Sequence, residues 1–245
     1  MIISAAQTRP KYLDIEANLL DHYRLIEIAA ANGSDLIVFP ELSITGYELE
    51  KSDMLAFSLQ DFRLDELSKL SETNQMIIIA GAPIRINSDL FIGEFILLPD
   101  RTITIYTKHF LHSGEDKYYK SSLDYDPIIR LGSGKISFAI CADIENPSHP
   151  ESASKKGADY YFPSIFYSPN GIDGAHRKLG DYAKQYSFNI LMSNFCGESM
   201  GLPAAGRSAF WNNRGELIGK MNDKPGLLIA ENNNAEWSTK LIEQT

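Results

Sequence analysis

Cysteine is nearly missing from this chain, with only Cys141 and Cys196 in 245 residues. The two lie in different apolar segments without close spacing, which fits neither a disulfide framework nor a metal knuckle and points to a reducing, cytoplasmic compartment. Basic residues are in deficit: 23 Lys and Arg against 32 Asp and Glu leave a formal charge of -9. No dense cluster of positive charge compensates, so nucleic acid is not an expected partner. Long apolar runs are lacking as well. No stretch approaches membrane-spanning length, and the first residues, MIISAAQTRP, carry neither the basic flank nor the apolar run of a signal peptide, so no membrane partner is expected. There is no GxSxG elbow, no HExxH pair and no complete nucleotide fingerprint. Gly132-Ser-Gly134-Lys135 precedes a strand instead of following one and reads as a turn. His109 and His112 have a spacing that could hold a metal on a helix, but no further ligand set accompanies them, and they read as surface histidines. No Ser/Gly/Pro-rich linker or low-complexity tract divides the chain, and one domain over residues 1–245 is expected.

What is present is an alternation of strand and helix patterns. IISAAQT reads as a strand broken by Pro10. In residues 14 to 31, Ile15, Leu19, Tyr23, Ile26 and Ala30 recur at helical spacing, with Asp14 as N-cap and Gly33 as stop. LIVFP, residues 36 to 40, is apolar without alternation and suits a strand buried on both faces. A helix around residues 61 to 72 leads to MIIIAGAPIRI and then LFIGEFILLPDRTITIYTK, with a turn at Pro99-Asp100-Arg101. ISFAIC, residues 136 to 141, reads as another buried strand, and residues 149 to 157 and 173 to 186 read as helices. NILMSNF, the hairpin SAFWNNRGELIGKM and GLLIAE close the chain, followed by a short terminal segment.

One internal echo stands out. Gly33-Ser-Asp-Leu-Ile-Val-Phe-Pro40 resembles Gly157-Ala-Asp-Tyr-Tyr-Phe-Pro163, each a helix stop, a strand and a proline. Two related halves, each a sheet covered by helices, would bury their open sheet faces against one another. The expected fold is therefore α/β, a four-layer α-β-β-α sandwich of two mixed sheets with helices outside.

Three of these strands run into a reactive side chain: LIVFP into Glu41, TITIYT into Lys108 and ISFAI into Cys141. Ligands of α/β folds bind at the carboxyl ends of strands, so an acid, an amine and a thiol delivered there could share one pocket. Taken singly, each has a plainer reading as a loop charge or a core thiol.

The segments FPELSITGY (39 to 47), YTKHFLHSGEDKYY (106 to 119) and AICADIENP (139 to 147) resemble the catalytic motifs of the nitrilase superfamily, the carbon–nitrogen hydrolases. The resemblance spans nearly the whole chain. It implies the four-layer sandwich, a homodimer, no cofactor or metal, and a catalytic set of Glu41, Lys108 and Cys141. It also implies a second glutamate at Glu115, and Asp143 holding the turn after the strand. The chemistry suits these residue types: Glu41 would take the thiol proton and later pass it to the leaving amine, while Lys108 and the backbone N–H of Ala142 would hold the oxyanion. Tyr119, Phe166 and Tyr167 are candidates for the substrate pocket. The chain departs from the pattern at Ala142, where relatives carry an aromatic residue, and at Glu145, where they carry an arginine.

The reaction implied is hydrolysis of a non-peptide C–N bond in a small amide or N-carbamoyl compound through a cysteine thioester. The short segment after GLLIAE weighs against a nitrilase, the lack of a synthetase domain against a glutamine-dependent NAD synthetase, and the lack of membrane spans against a lipoprotein acyltransferase. A nitrilase acting on a small nitrile remains an alternative, as does a noncatalytic binding protein on the same fold. Another is a papain-type thiol hydrolase pairing Cys141 with His176. Cys196 reads as structural, although it too ends a strand.

Overall fold

The computed structural model describes residues 1–234 and 236–244. Its strands in chain order are β1 Ile2–Gln7, β2 Leu36–Val38, β3 Ile77–Ile86, β4 Asp89–Leu97, β5 Ile103–Thr107, β6 Ile129–Leu131, β7 Gly134–Ile140, β8 Tyr160–Ile165, β9 Asn189–Asn194, β10 Cys196–Ser199, β11 Leu202–Ala205, β12 Ala209–Trp211, β13 Leu217–Lys220, β14 Gly226–Asn233 and β15 Glu236–Glu243. The helices are α1 Ile15–Ala31, the single turn α2 Ser52–Leu55, α3 Asp65–Asn74, α4 Ser148–Lys155 and α5 Ile172–Tyr186.

β1, β2 and β3 are parallel neighbours, and β4 and β5 continue antiparallel. The second half repeats the scheme: β7, β8 and β9 are parallel, then β12 and β13 antiparallel. The sequence echo falls on equivalent central strands, β2 and β8, and each is entered through a glycine with left-handed φ, 75° at Gly33 and 77° at Gly157. One sheet is completed at its β1 edge by β14 and β15, giving the order β15-β14-β1-β2-β3-β4-β5; the other gains β6 beside β7, giving β13-β12-β9-β8-β7-β6.

Alternation along the strands sends one set of side chains between the sheets and the other toward the helices. Ile3, Val38, Ile79, Ile92 and Ile96 of the first sheet share a core with Phe138, Ile140, Phe162, Leu191 and Phe210 of the second. On the outer faces α1 and α3 cover the first sheet, and α4 and α5 the second. Fully burying one such aliphatic or aromatic side chain is worth roughly 1.5–3 kcal/mol, so this inter-sheet layer is what holds the halves together. The result is the four-layer sandwich.

α1 starts where expected, with the Asp14 side chain accepting from the Ala17 amide at 2.9 Å. Its buried face differs from the expected stripe: Asn18, Leu19, His22, Leu25, Ile26 and Ala29 point inward, and Tyr23 and Ala30 are half-buried. The polar pair is used locally. Asn18 Nδ2 donates to Ile44 O at 3.1 Å, and the His22 ring meets Ser43 Oγ at 2.9 Å. His22 Nδ1–H can only donate to the Asn18 carbonyl, so Nε2 accepts from the Ser43 hydroxyl. Burial lowers the His22 pKa to about 4, keeping the ring neutral for that role. α1 is thereby tied to the loop that follows β2.

The segment after GLLIAE is not a loose end. Glu236–Glu243 forms β15, antiparallel to β14. Trp237 packs on Phe210 with ring centroids 4.5 Å apart, and Thr239 Oγ1 donates to Ile218 O at 3.3 Å, so this edge strand also touches the second sheet.

Candidate active site

Glu41 lies beyond β2, past Phe39 and Pro40; Lys108 directly follows β5; and Cys141 directly follows β7. Two of these strands belong to one sheet and the third to the other. All three side chains are buried.

Lys108 Nζ donates to Glu41 Oε1 and to Glu115 Oε1, both at 2.7 Å. Glu115 is no solvated loop acid: it is buried, its Oε1 also accepts from the Tyr47 hydroxyl, and its Oε2 accepts from the His112 amide at 2.7 Å. Tyr47 was not singled out from the sequence, although it ends the FPELSITGY segment. Glu41 Oε2 is buried without a hydrogen-bond partner among the described residues. The Cys141 thiol approaches that carboxyl closely enough to weigh on its proton affinity.

Burial raises the Glu41 pKa to about 7, with Lys108 pulling it down and Glu115 pushing it further up. Burial alone would discharge Lys108, but Glu41, Cys141 and Glu115 together hold its proton more firmly than usual. Burial, reinforced by Glu41, drives the Cys141 thiol well above its ordinary value while Lys108 opposes the shift. The resting sulfur is therefore a thiol facing a carboxyl poised near neutrality.

Cys141 has φ 44°, a left-handed conformation rare for a residue with a side chain, at the corner where β7 becomes the 3-10 turn Cys141–Glu145. The first amides of such a turn lack partners within it, which leaves the Ala142 N–H available as a donor beside the sulfur. Asp143 fixes the corner. Its Oδ2 accepts from the Ile140 amide at 2.8 Å and the Tyr106 hydroxyl at 2.6 Å; its Oδ1 accepts from His109 N at 3.0 Å and Phe110 N at 2.9 Å. Behind it, burial lowers His149 to about 4, so the neutral ring donates from Nε2 to Tyr106 and accepts at Nδ1 from Tyr161.

Cys141 opens on a cavity of about 410 Å³ lined by Glu41, Tyr47, His112, Phe166, Tyr167 and Ser168, with Leu202 and Pro203 of β11 at the rim. Phe166 and Tyr167, two of the candidates for the pocket, line this cavity. Tyr119 does not line the cavity: it lies in the apolar layer between the sheets. Aromatic residues near strands usually end in the core, and sequence proximity to Glu115 carries no information about direction. Leu202 and Pro203 were missed because the β10–β11 hairpin has little apolar alternation; its signal is the turn Met200-Gly201, with φ 53° and 69°.

Of the two flagged histidines, only His109 is withdrawn from the surface. The His109 ring is buried against Tyr106 and His149, with centroids 5.1 and 4.9 Å away. His112 is the more exposed, yet its Nε2 lies 3.2 Å from Cys141 Sγ. His176 instead bonds the Arg207 carbonyl at 3.0 Å and packs edge-on to Trp211, so it is not the histidine beside the sulfur. Cys196 is buried at the start of β10, and burial raises its thiol to about 11. Glu145 accepts from Lys178 and from the Tyr167 hydroxyl, and so anchors one wall of the cavity. Among the described residues no group of three or more His, Cys, Asp or Glu side chains is arranged to hold a metal ion, and no helix is long and apolar enough to cross a membrane.

The family model for carbon-nitrogen hydrolases matches residues 2–239. The chain belongs to the carbon-nitrogen hydrolase family. Among related carbon-nitrogen hydrolases, the chain is 27% identical over 201 residues to a 2-oxoglutaramate amidase of Bacillus subtilis, covering 81% of this chain and 78% of that protein. It is 26% identical over 227 residues to a glutamine-dependent NAD(+) synthetase of Thermotoga maritima, covering 88% of this chain but spanning only 39% of the synthetase. An amidase from Nesterenkonia sp. AN1, described as a nitrilase-superfamily member, shares the fold with a TM-score of 0.84 at 20% identity, covering 96% of this chain and 94% of that one. A mutant of that amidase has been solved in complex with butyramide.

Proposed function

We propose that this chain hydrolyses small, uncharged aliphatic amides through a thioester on Cys141, releasing ammonia. The observation that carries the reading is Lys108 bridging two buried carboxylates in a site where Glu41 and Cys141 line one cavity. In this proposal Glu41 takes the thiol proton as the Sγ–C bond forms. Lys108 and the Ala142 N–H hold the oxyanion; removing one such donor typically costs about 10²–10³ in rate. When the tetrahedral adduct collapses, the proton on Glu41 passes to the nitrogen and ammonia leaves. Water then gives a proton to Glu41 and its oxygen to the thioester carbon, freeing the acid and restoring the thiol.

The acyl preference follows from the walls. Tyr47, Phe166, Tyr167, Leu202 and Pro203 offer mostly apolar surface, while the ammonium of Lys108 is already held by two carboxylates. An anionic tail would meet Glu41 with no free cation among the described lining residues. The butyramide complex of the Nesterenkonia amidase supports the same choice by analogy. A reducing compartment belongs to the reading, since both cysteines are free and a thiol nucleophile must remain reduced.

Ammonia release from acetamide, propionamide and butyramide, compared with ω-amides of dicarboxylic acids, N-carbamoyl amino acids and simple nitriles, tests this directly. The aliphatic amides should be turned over at least about tenfold faster than the anionic substrates, a modest pocket discrimination of the size expected for one mismatched group, and Cys141→Ser should be inactive. Faster hydrolysis of anionic amides would overturn the acyl preference. Preference for nitriles would make the chain a nitrilase, and failure of every class with an unreactive Cys141 would favour a binding protein.

A further inference from the structure

We propose that His112 is a further catalytic residue, whose Nε2–H donates to the Cys141 sulfur and stabilises the thiolate during attack on the substrate carbonyl. The inference rests on the thiol reading above and adds to it a group outside the Glu41, Lys108 and Glu115 cluster. Three observations converge on the ring. Its Nε2 is 3.2 Å from Sγ, it forms part of the cavity wall, and its own backbone N–H is fixed on Glu115 Oε2 at 2.7 Å. The backbone that carries the ring is thus held to the same carboxylate that orients Lys108.

The sulfur needs such a donor. Burial and the Glu41 carboxyl both oppose a negative sulfur, and its other close contact, the Phe166 carbonyl at 3.8 Å, can only accept a hydrogen bond. Lys108 is the main group that works against them. The ring is suited to donate without taking part in proton transfer. Burial, then Lys108, lower its pKa, while Glu115, Glu145 and Asp143 pull it up; the net shift is downward and favours the neutral imidazole, whose one proton lies on Nε2 in this arrangement because the thiol turns its own hydrogen to the Phe166 carbonyl and leaves the sulfur to accept. The thiol proton moves to Glu41 and on to the departing nitrogen as the Sγ–C bond forms and the C–N bond breaks. The His112 proton stays where it is throughout.

His112→Phe removes the donor and His112→Gln retains an N–H within similar reach. The readouts are the second-order rate of Cys141 alkylation by iodoacetamide between pH 5 and 9, and kcat and KM on the best amide, with melting temperatures confirming that both variants fold. A hydrogen bond to a charged group corresponds to about tenfold to hundredfold in rate. His112→Phe should slow alkylation and kcat by that factor, shift the alkylation profile to higher pH and leave KM within about threefold, with His112→Gln recovering part of the loss. Native alkylation rates and an unchanged profile in His112→Phe would overturn the proposal, as would a change confined to KM, which would make the ring a substrate contact. Alkylation does not depend on amide turnover: wild-type protein that alkylates but hydrolyses no amide would refute the amidase reading and leave the His112 comparison intact.

Discussion

Glu41 and Glu94 are both buried carboxyls, and their surroundings give them different consequences. Glu41 has Lys108 beside it and a pKa near 7, so its ionised, base-competent form grows as pH rises through neutrality. The acid limb of kcat/KM should therefore have its midpoint near pH 7, and Glu41→Gln should lower kcat by about 10²–10⁴-fold across the range; a pH–rate profile measures both. Glu94 on β4 has no such neighbour. Neither of its oxygens has a hydrogen-bond partner among the described residues. Burial pushes its pKa well above the ordinary carboxylate value, Ser164 pulls back, and Asp143 and Glu41 add to the push. Well below pH 4 the carboxyl is protonated whether the chain is folded or not. As pH rises past the unfolded value the unfolded state ionises first, so Glu94 costs stability with increasing pH. Glu94→Met should stabilise the fold at pH 8 by about 1–3 kcal/mol, the range for an unsatisfied buried polar group, and by less at pH 5. Urea titrations at the two pH values decide it.

At the level of elements, the active-site loop after β2 is braced from two sides. α1 holds it through Asn18 and His22, and β3 holds it through Gly81, whose amide donates to Ser43 Oγ at 3.2 Å and whose carbonyl accepts from Ile44 N at 3.0 Å. A Cβ on Gly81 would sit 2.5 Å from Leu42 N and 2.8 Å from Pro40 O, on either side of Glu41. Both are backbone atoms, so the loop itself must move. Gly81→Ala is expected to reduce kcat by about 10²-fold, the cost of a misplacement near 1 Å, with a lower melting temperature; steady-state kinetics and a thermal melt check it. This bracing explains what the sequence showed of α1 and what it hid. Apolar spacing located the helix and Asp14 its start, but Asn18 and His22 face inward because they serve a loop more than twenty residues away. β15 was hidden for another reason. Its exposure alternates only weakly and it borders one strand of its own sheet, so little in its composition separates it from a tail.

For the whole molecule, the duplicated β-α-β-α-β plan was legible because the glycine, strand and proline recur at equivalent places in both halves. The convergence of Glu41, Lys108 and Glu115 with Cys141 was inferred only from strand ends and motif resemblance, since nothing local in sequence states which sheet faces which. The His112 contact and the β11 rim depend on how loops from both halves meet, and periodicity does not encode that. Asp143 is where the two sheets are joined at the site: it accepts from Ile140 at the end of β7 and from Tyr106, His109 and Phe110 in and after β5. Asn in its place offers one accepting oxygen and turns an NH2 group toward other donors. Asp143→Asn should cost about 2–4 kcal/mol in a urea titration and lower kcat by at least about tenfold, from donors left without partners and a displaced nucleophile.

That single carboxyl works as a rivet. Because four donors, drawn from both sheets, close on two oxygens, the corner bearing the sulfur and the loop bearing the ammonium come loose together or stay put together. To set the sulfur adrift from the ammonium, the protein would have to strip several of these donors of their shared acceptor.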